Sequence, residues 1–273
     1  MATVIAVSSF VARGTVGLRA IQPAYDRMGH EVIALPTILL SNHLGHTRAE
    51  GGAVAPDTLA RMVEALDANG WLSRVDAVQT GYLPTPDHVR IVEDLITRVR
   101  ALHPGALVVC DPVLGDHPIG LYVPQGVADE VRDRLVPLAT HVKPNPFELS
   151  YLSRRPVERL ADVVEAAQAL GTKVVLASSV PLDGNRLANV VVAGERAGLC
   201  AVTRQSDVPH GTGDLLTALF TSHCLDGESP VMSAAFAAAG VASVIELSKG
   251  TDELQLFGPA AWHDVPPLPV ASV

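Results

Sequence analysis

Short runs of aliphatic and β-branched residues alternate along the chain with longer stretches in which apolar residues recur every third or fourth position. The first pattern predicts strands at Thr3–Val7, Val32–Leu35, Ala77–Thr80, Leu107–Cys110, His141–Lys143, Lys173–Leu176, Asn189–Val192 and Cys200–Thr203. Near-continuous apolar strands suit a sheet buried on both faces. The second predicts helices near Val16–Met28, Asp57–Ala68, Pro86–Ala101, Val127–Leu135, Val157–Leu170, Gly213–His223 and Met232–Leu247. Strand and helix alternate throughout, which predicts an α/β fold with a central, mostly parallel sheet between two helical layers. The neighbouring strands at 189–192 and 200–203, joined through Ala193-Gly194-Glu195-Arg196, predict an antiparallel hairpin at one sheet edge. No linker, repeat or charge block interrupts the pattern. Residues 1–264 therefore read as a single domain and the Pro-rich 265–273 as a frayed tail.

Composition removes several function classes. With 48% hydrophobic and 18% charged residues, the 273-residue chain can bury a sizeable core. An aromatic share of 4% and a net charge of −9 argue against a nucleic-acid partner, which needs basic surface or stacking platforms. Cys110, Cys200 and Cys224 are odd in number and lack metal-ligand spacing, so reduced thiols in a reducing compartment are expected. The start has no basic segment leading a signal-length apolar run, and Ala234–Ile245 is shorter than the roughly 18 residues of a bilayer span. A cytoplasmic protein with no membrane partner is the expectation.

Candidate chemistry collects where strands end. Gly211-Thr212-Gly213-Asp214 runs directly into the apolar helix Leu215–Phe220. First-turn N–H groups of a helix lack intrahelical partners and can hold an anion, and a carboxylate at that mouth can accept a proton from an attacking hydroxyl. The same residues also fit a plain turn whose acid favours the helix dipole. Asp111 and Asp116 follow one strand within Cys110-Asp111-Pro112-Val113-Leu114-Gly115-Asp116, with carboxylates suited to a hydrated Mg²⁺ or to turn chemistry. Asn145 and Glu148 follow another strand, as candidate ligands or helix caps. Ser178, Tyr82 and Ser9 fall at the same expected edge, and Ser41-Asn42-His43 opens a Gly-containing stretch that reads as a flap.

Taken in order, Ser9 with Arg13-Gly14 and Val16-Gly17, Ser41-Asn42-His43, Gly81-Tyr82, Cys110 to Asp116, Tyr122-Val123-Pro124, Pro144-Asn145 with Phe147-Glu148, Ser178-Ser179 and Gly211 to Asp214 resemble the ribokinase-like superfamily, and within it the pyridoxal kinases. The resemblance spans nearly the whole chain. It implies transfer of the ATP γ-phosphoryl group to the 5′-hydroxymethyl of pyridoxal or a related B6 vitamer, with Mg²⁺, a K⁺ activator and a homodimer. By matching position, Asp214 would be the base and the backbone of Gly211, Thr212 and Gly213 the anion hole. Asp111, Asn145 and Glu148 would arrange metal and phosphates, with Asp111 and Glu148 on the metal side. Asp116 and Ser178 would lie beside the nucleotide, and Ser9, His43, Tyr82 and Tyr122 around the acceptor, with His210 a further acceptor contact. The chain departs from the family pattern at Phe10, Leu44, His210 and Lys143, three of them on the acceptor side. These departures leave open a hydroxymethylpyrimidine kinase of the same fold and a non-catalytic pyridoxal phosphate binder.

Overall fold

The computed structural model describes residues 1–273. Its strands are β1 (Thr3–Val11), β2 (Glu31–Leu40), β3 (Gly51–Ala53), β4 (Ala77–Thr80), β5 (Leu107–Cys110), β6 (Gly115–Asp116), β7 (Gly120–Leu121), β8 (His141–Val142), β9 (Val174–Leu182), β10 (Arg186–Ala193), β11 (Arg196–Thr203) and β12 (Val270–Ser272). Its α-helices are α1 (Leu18–Arg27), α2 (Pro56–Ala68), α3 (Pro86–Leu102), α4 (Gln125–Glu130), α5 (Val136–Leu138), α6 (Pro146–Ser153), α7 (Leu160–Ala169), α8 (Thr212–Leu225) and α9 (Pro230–Leu247). Ten strands form one sheet in the order β12-β11-β10-β9-β8-β5-β4-β1-β2-β3, and β6 pairs with β7 alone. The six strands from β9 to β2 are parallel, which sets their carboxyl ends on one edge.

Alternation along β1 shows how the layers are built. Ile5 and Val7 enter a cluster with Leu59 of α2 and Val92, Leu95 and Ile96 of α3, whereas Val4 and Ala6 enter another with α1, α8 and α9. Successive side chains point to opposite faces of a strand, so a run apolar at every position is covered by helices on both sides. A third cluster packs α7 against β9 and β10. The result is a three-layer, ribokinase-like α/β architecture.

The predicted hairpin is present, with Asn189 opposite Cys200 and Val192 opposite Ala197. It belongs to a wider antiparallel flank, because β9 runs on to Leu182 and turns back into β10. The 265–273 stretch differs from a frayed tail: β12 pairs with β11, Gly198 opposite Ser272, and supplies the hydrogen bonds that an edge strand otherwise lacks. The flap also has more structure than a loop. β3 returns antiparallel to β2, leaving residues 41–50 as the connection. Helix α9 is, by length and composition, apolar enough to cross a membrane, longer than the Ala234–Ile245 core had suggested. Its Ser233, Ala234, Ala235 and Ala237–Gly240 are buried in the fold, as expected of a core helix.

Candidate active site

Gly211 begins α8 with φ +103°, and no side chain caps the helix. A Cβ at Gly211 would stand 1.9 Å from the carbonyl oxygen of Thr15, so only glycine lets this turn lie against the segment after β1. The first-turn N–H groups are thereby left free at the carboxyl edge of the sheet. Asp214, partly exposed, takes the Gly17 N–H on Oδ2 at 2.9 Å. Gly17 is itself held against Ser9, whose oxygens a Cβ there would meet at 2.3 Å. Ser9, Gly17 and Asp214 thus form one continuous contact. Burial pushes the Asp214 carboxyl up to about 6, aided by the negative charge of Asp111 and opposed by the Gly17 N–H and Lys143.

Behind this turn lies a buried polar cluster. Asp111, at the end of β5, accepts from Thr217 Oγ1 at 2.6 Å and pairs with Lys143 Nζ at 3.1 Å, both on Oδ2. Asp111, Lys143 and Glu148 are each less than 10% exposed. Asn145 and Glu148 cap α6 reciprocally: Asn145 Oδ1 accepts from the Glu148 N–H, and Glu148 Oε2 accepts from the Asn145 N–H, each at 2.9 Å. Glu148 Oε1 takes the Leu114 N–H at 2.8 Å, and Asn145 Nδ2 donates to the Gly115 carbonyl. Desolvation drives Glu148 up to about 7 against the pull of Lys143. Burial likewise raises Asp111, with Lys143 and Thr217 opposing it.

A cleft of about 540 Å³ opens beside the α8 turn, bounded by Thr212, Gly213 and Leu216, by the outer strands at Asn189 and Thr203, and by Val241 and Ala242 of α9. Ser178 and Ser179 stand at its inner end, where the Ser178 N–H donates to the Pro144 carbonyl. The cleft is apolar along α9 and polar toward the glycine turn, which matches a base and ribose followed by phosphates. A bulky Ala242→Phe side chain fills this space without touching the polar cluster. It is expected to raise KM for ATP at least tenfold, by roughly 1.4 kcal/mol of lost binding, with little change in kcat; steady-state kinetics over ATP concentration check this.

The flap is docked by His43, which stacks on His210 with ring centroids 4.1 Å apart. Desolvation first, then the His210 and His46 imidazoles, lower the His43 pKa. Glu253 ties the same region together by accepting from the Thr15 N–H and approaching Arg13 and His46. Tyr82 joins through its N–H on Ser8 Oγ, one residue before Ser9.

The structure therefore joins Ser9 to Asp214 through Gly17, stacks His43 on His210 next to Gly211, gathers Asp111, Asn145 and Glu148 near the first turn of α8, and puts Ser178 in the cleft. Asp116 and Tyr122 stand outside the cleft, and burial, then the negative charges of Asp116 and Glu148, raise the Tyr122 pKa. Asp116 is exposed on β6, takes the His117 N–H and does not line the cleft. Tyr122 is 47% exposed, with its N–H on the Leu114 carbonyl. Sequence reasoning assigned no role to Gly17 or Thr217. The signal for Thr217 was present, since it lies three residues after Asp214 on the same face of α8.

An uncapped glycine turn followed by a carboxylate, beside a nucleotide-sized cleft on a doubly covered parallel sheet, is the arrangement of a small-molecule kinase of ribokinase-like fold. The phosphomethylpyrimidine kinase family model matches residues 29–259. A pyridoxine/pyridoxal/pyridoxamine kinase of Bordetella bronchiseptica is 34% identical, over 94% of this chain and 93% of its own. A pyridoxal kinase of Deinococcus radiodurans is 32% identical over 93% and 90% of the two chains. The solved structure of the Leishmania donovani pyridoxal kinase in complex with ADP and pyridoxamine superposes with a TM-score of 0.93 and 26% identity, covering all of both chains. The chain belongs to the phosphomethylpyrimidine kinase family, and these relatives at 32% and 34% identity are pyridoxal kinases.

Proposed function

We propose that the protein is an ATP-dependent kinase of B6 vitamers that phosphorylates the 5′-hydroxymethyl group of pyridoxal or a close relative. The observation that carries this reading is the position of Asp214, partly exposed directly after the glycine turn and held through Gly17 against Ser9. Asp214 accepts the hydroxyl proton as the acceptor oxygen forms its bond to the γ-phosphorus and the bond to the β–γ bridging oxygen breaks, releasing ADP. The N–H groups of Gly211, Thr212 and Gly213 offset the charge that gathers on the transferred group. Relatives named for pyridoxal, pyridoxine and pyridoxamine, and the ADP-bound Leishmania donovani enzyme, support both substrates.

Mg²⁺ fits the polar cluster as a water-shielded ion. Both Glu148 oxygens are taken by backbone N–H groups, and Asp111 Oδ2 by Lys143 and Thr217, so no three-ligand protein cage is formed. Mg²⁺ keeps several waters and leans on substrate phosphates, which this arrangement accommodates. When bound it would neutralise phosphate charge, with Asp111 and Glu148 orienting its waters. The implied homodimer is tested by light scattering, and a reducing, cytoplasmic setting agrees with three free cysteines.

Turnover of pyridoxal, pyridoxine and pyridoxamine with MgATP tests the assignment: at least one is expected to be phosphorylated, and none at saturating ATP overturns it. The family description itself favours a second reading, with hydroxymethylpyrimidine as the acceptor and the His43–His210 stack as its ring platform. Thermal stabilisation by hydroxymethylpyrimidine and by no B6 vitamer would select that reading.

The Asp214 pKa sets the pH response. A base works as its carboxylate, and protonation as pH falls through about 6 removes it. With MgATP saturating, kcat/KM for the vitamer is expected to be flat above about pH 7 and to decline toward a unit slope below about pH 6. A profile flat down to about pH 5 contradicts Asp214 as the base.

A further inference from the structure

Lys143 is one of the chain's departures from the family pattern, and the structure shows its ammonium sealed between the end of β5 and the first turn of α8. Its side chain is 7% exposed and that of Asp111 5%. The Lys143 N–H donates to the Cys110 carbonyl at 2.9 Å, which locks the residue beside the end of β5. From there Nζ reaches Asp111 Oδ2 at 3.1 Å. It also lies 3.4 Å from where a Cβ on Gly213 would be, directly under the first turn of α8. Glu148 and Asp214 add their negative charge to that of Asp111 around the same ammonium. Three acids from β5, α6 and α8 thus share one fixed cation.

We propose, resting on the kinase reading, that Lys143 is a built-in cation of the phosphate side. It is a positioning residue whose ammonium holds Asp111 and the α8 turn in register for transfer, in the role a small monovalent cation would otherwise fill. The argument is one of charge and space. Without the ammonium, Asp111, Glu148 and Asp214 would face one another in a poorly solvated pocket, and their repulsion would spread the turn that carries the anion hole. Shortening Lys143 to threonine leaves a void lined by carboxylate and hydroxyl oxygens. Such donors suit a hard cation.

The test compares wild-type protein with Lys143→Thr and with Lys143→Met, which fills the space without charge. Each is measured in tetramethylammonium, ammonium and potassium salts of equal ionic strength. The wild-type rate with MgATP and pyridoxal is expected to be the same in all three. Lys143→Thr is expected to lose about 100-fold in kcat in tetramethylammonium, with KM for pyridoxal little changed, and to recover much of it in ammonium or potassium. Lys143→Met is expected to stay slow in every salt. A second readout needs no turnover: ammonium and potassium raise the melting temperature of unliganded Lys143→Thr relative to tetramethylammonium, and leave the wild type and Lys143→Met unmoved. Wild-type kcat for Lys143→Thr in tetramethylammonium overturns the proposal. So does a folded variant, by circular dichroism, whose rate and melting temperature ignore small cations. If the wild type phosphorylates no vitamer in any salt, the vitamer assignment fails instead, and the melting comparison alone decides the role of Lys143.

Discussion

Asp214→Asn is expected to lower kcat by about 10²- to 10⁴-fold, the range that a positioned proton acceptor contributes. The substitution keeps the shape of the side chain and an oxygen able to take the Gly17 N–H, so the geometry around Ser9 and Gly17 stays in place. What the amide loses is the ability to accept the proton. The competing account, in which the acid merely complements the α8 dipole, predicts another outcome. It allows a stability change of about 0.3–1 kcal/mol and no selective effect on turnover. Steady-state kinetics with MgATP and pyridoxal, paired with thermal melting and calorimetric ADP binding, separates the two. Full activity in Asp214→Asn removes Asp214 from the chemistry. Residual activity above solution is expected, since the glycine turn continues to bind the transferred group.

Gly211→Ala is the second large effect. At φ +103° the backbone lies where a side chain is strained, at roughly 1–3 kcal/mol. The new Cβ would also fall 1.9 Å from the Thr15 carbonyl, which has to move. Thr15 is held by Glu253 and by Leu254, whose N–H donates to Thr15 Oγ1, so it resists displacement. The glycine turn itself therefore yields, and its N–H groups turn away from the phosphoryl position. Losing one such donor typically costs about 10²- to 10³-fold in rate. A fall in melting temperature together with a rate loss of that size is expected. Gly213→Ala is the control: its Cβ would make ordinary contact at 3.4 Å with the Lys143 ammonium, and its φ lies outside the left-handed region. If both substitutions behave alike, the close approach at Thr15 is not what shapes the turn.

The two variants differ in what the sequence could say about them. The glycine-rich approach to an apolar helix is a local pattern, and the position of Asp214 after it was legible without coordinates. That Gly211 and Gly17 are indispensable, and against which atoms, depended on segments nearly 200 residues apart meeting at one edge of the sheet. Asp116 shows the converse limit: its spacing from Asp111 says nothing of the separate two-stranded β6–β7 sheet on which it is exposed.

By itself the sequence determined the alternation of strands and helices, the antiparallel hairpin near the end of the sheet and the glycine-rich turn that leads into an apolar helix. Side-chain periodicity and turn chemistry act over a few residues and leave their mark in order along the chain. Only the tertiary structure decided which carboxylates share Lys143, that Thr217 shares Asp111 Oδ2 with that lysine, that His43 closes on His210, and that residues 270–272 complete the sheet as β12. These are through-space pairings, several of them between residues more than 70 positions apart. What selects them is the low-dielectric interior, where a buried charge or an open sheet edge must find a partner that no local pattern names.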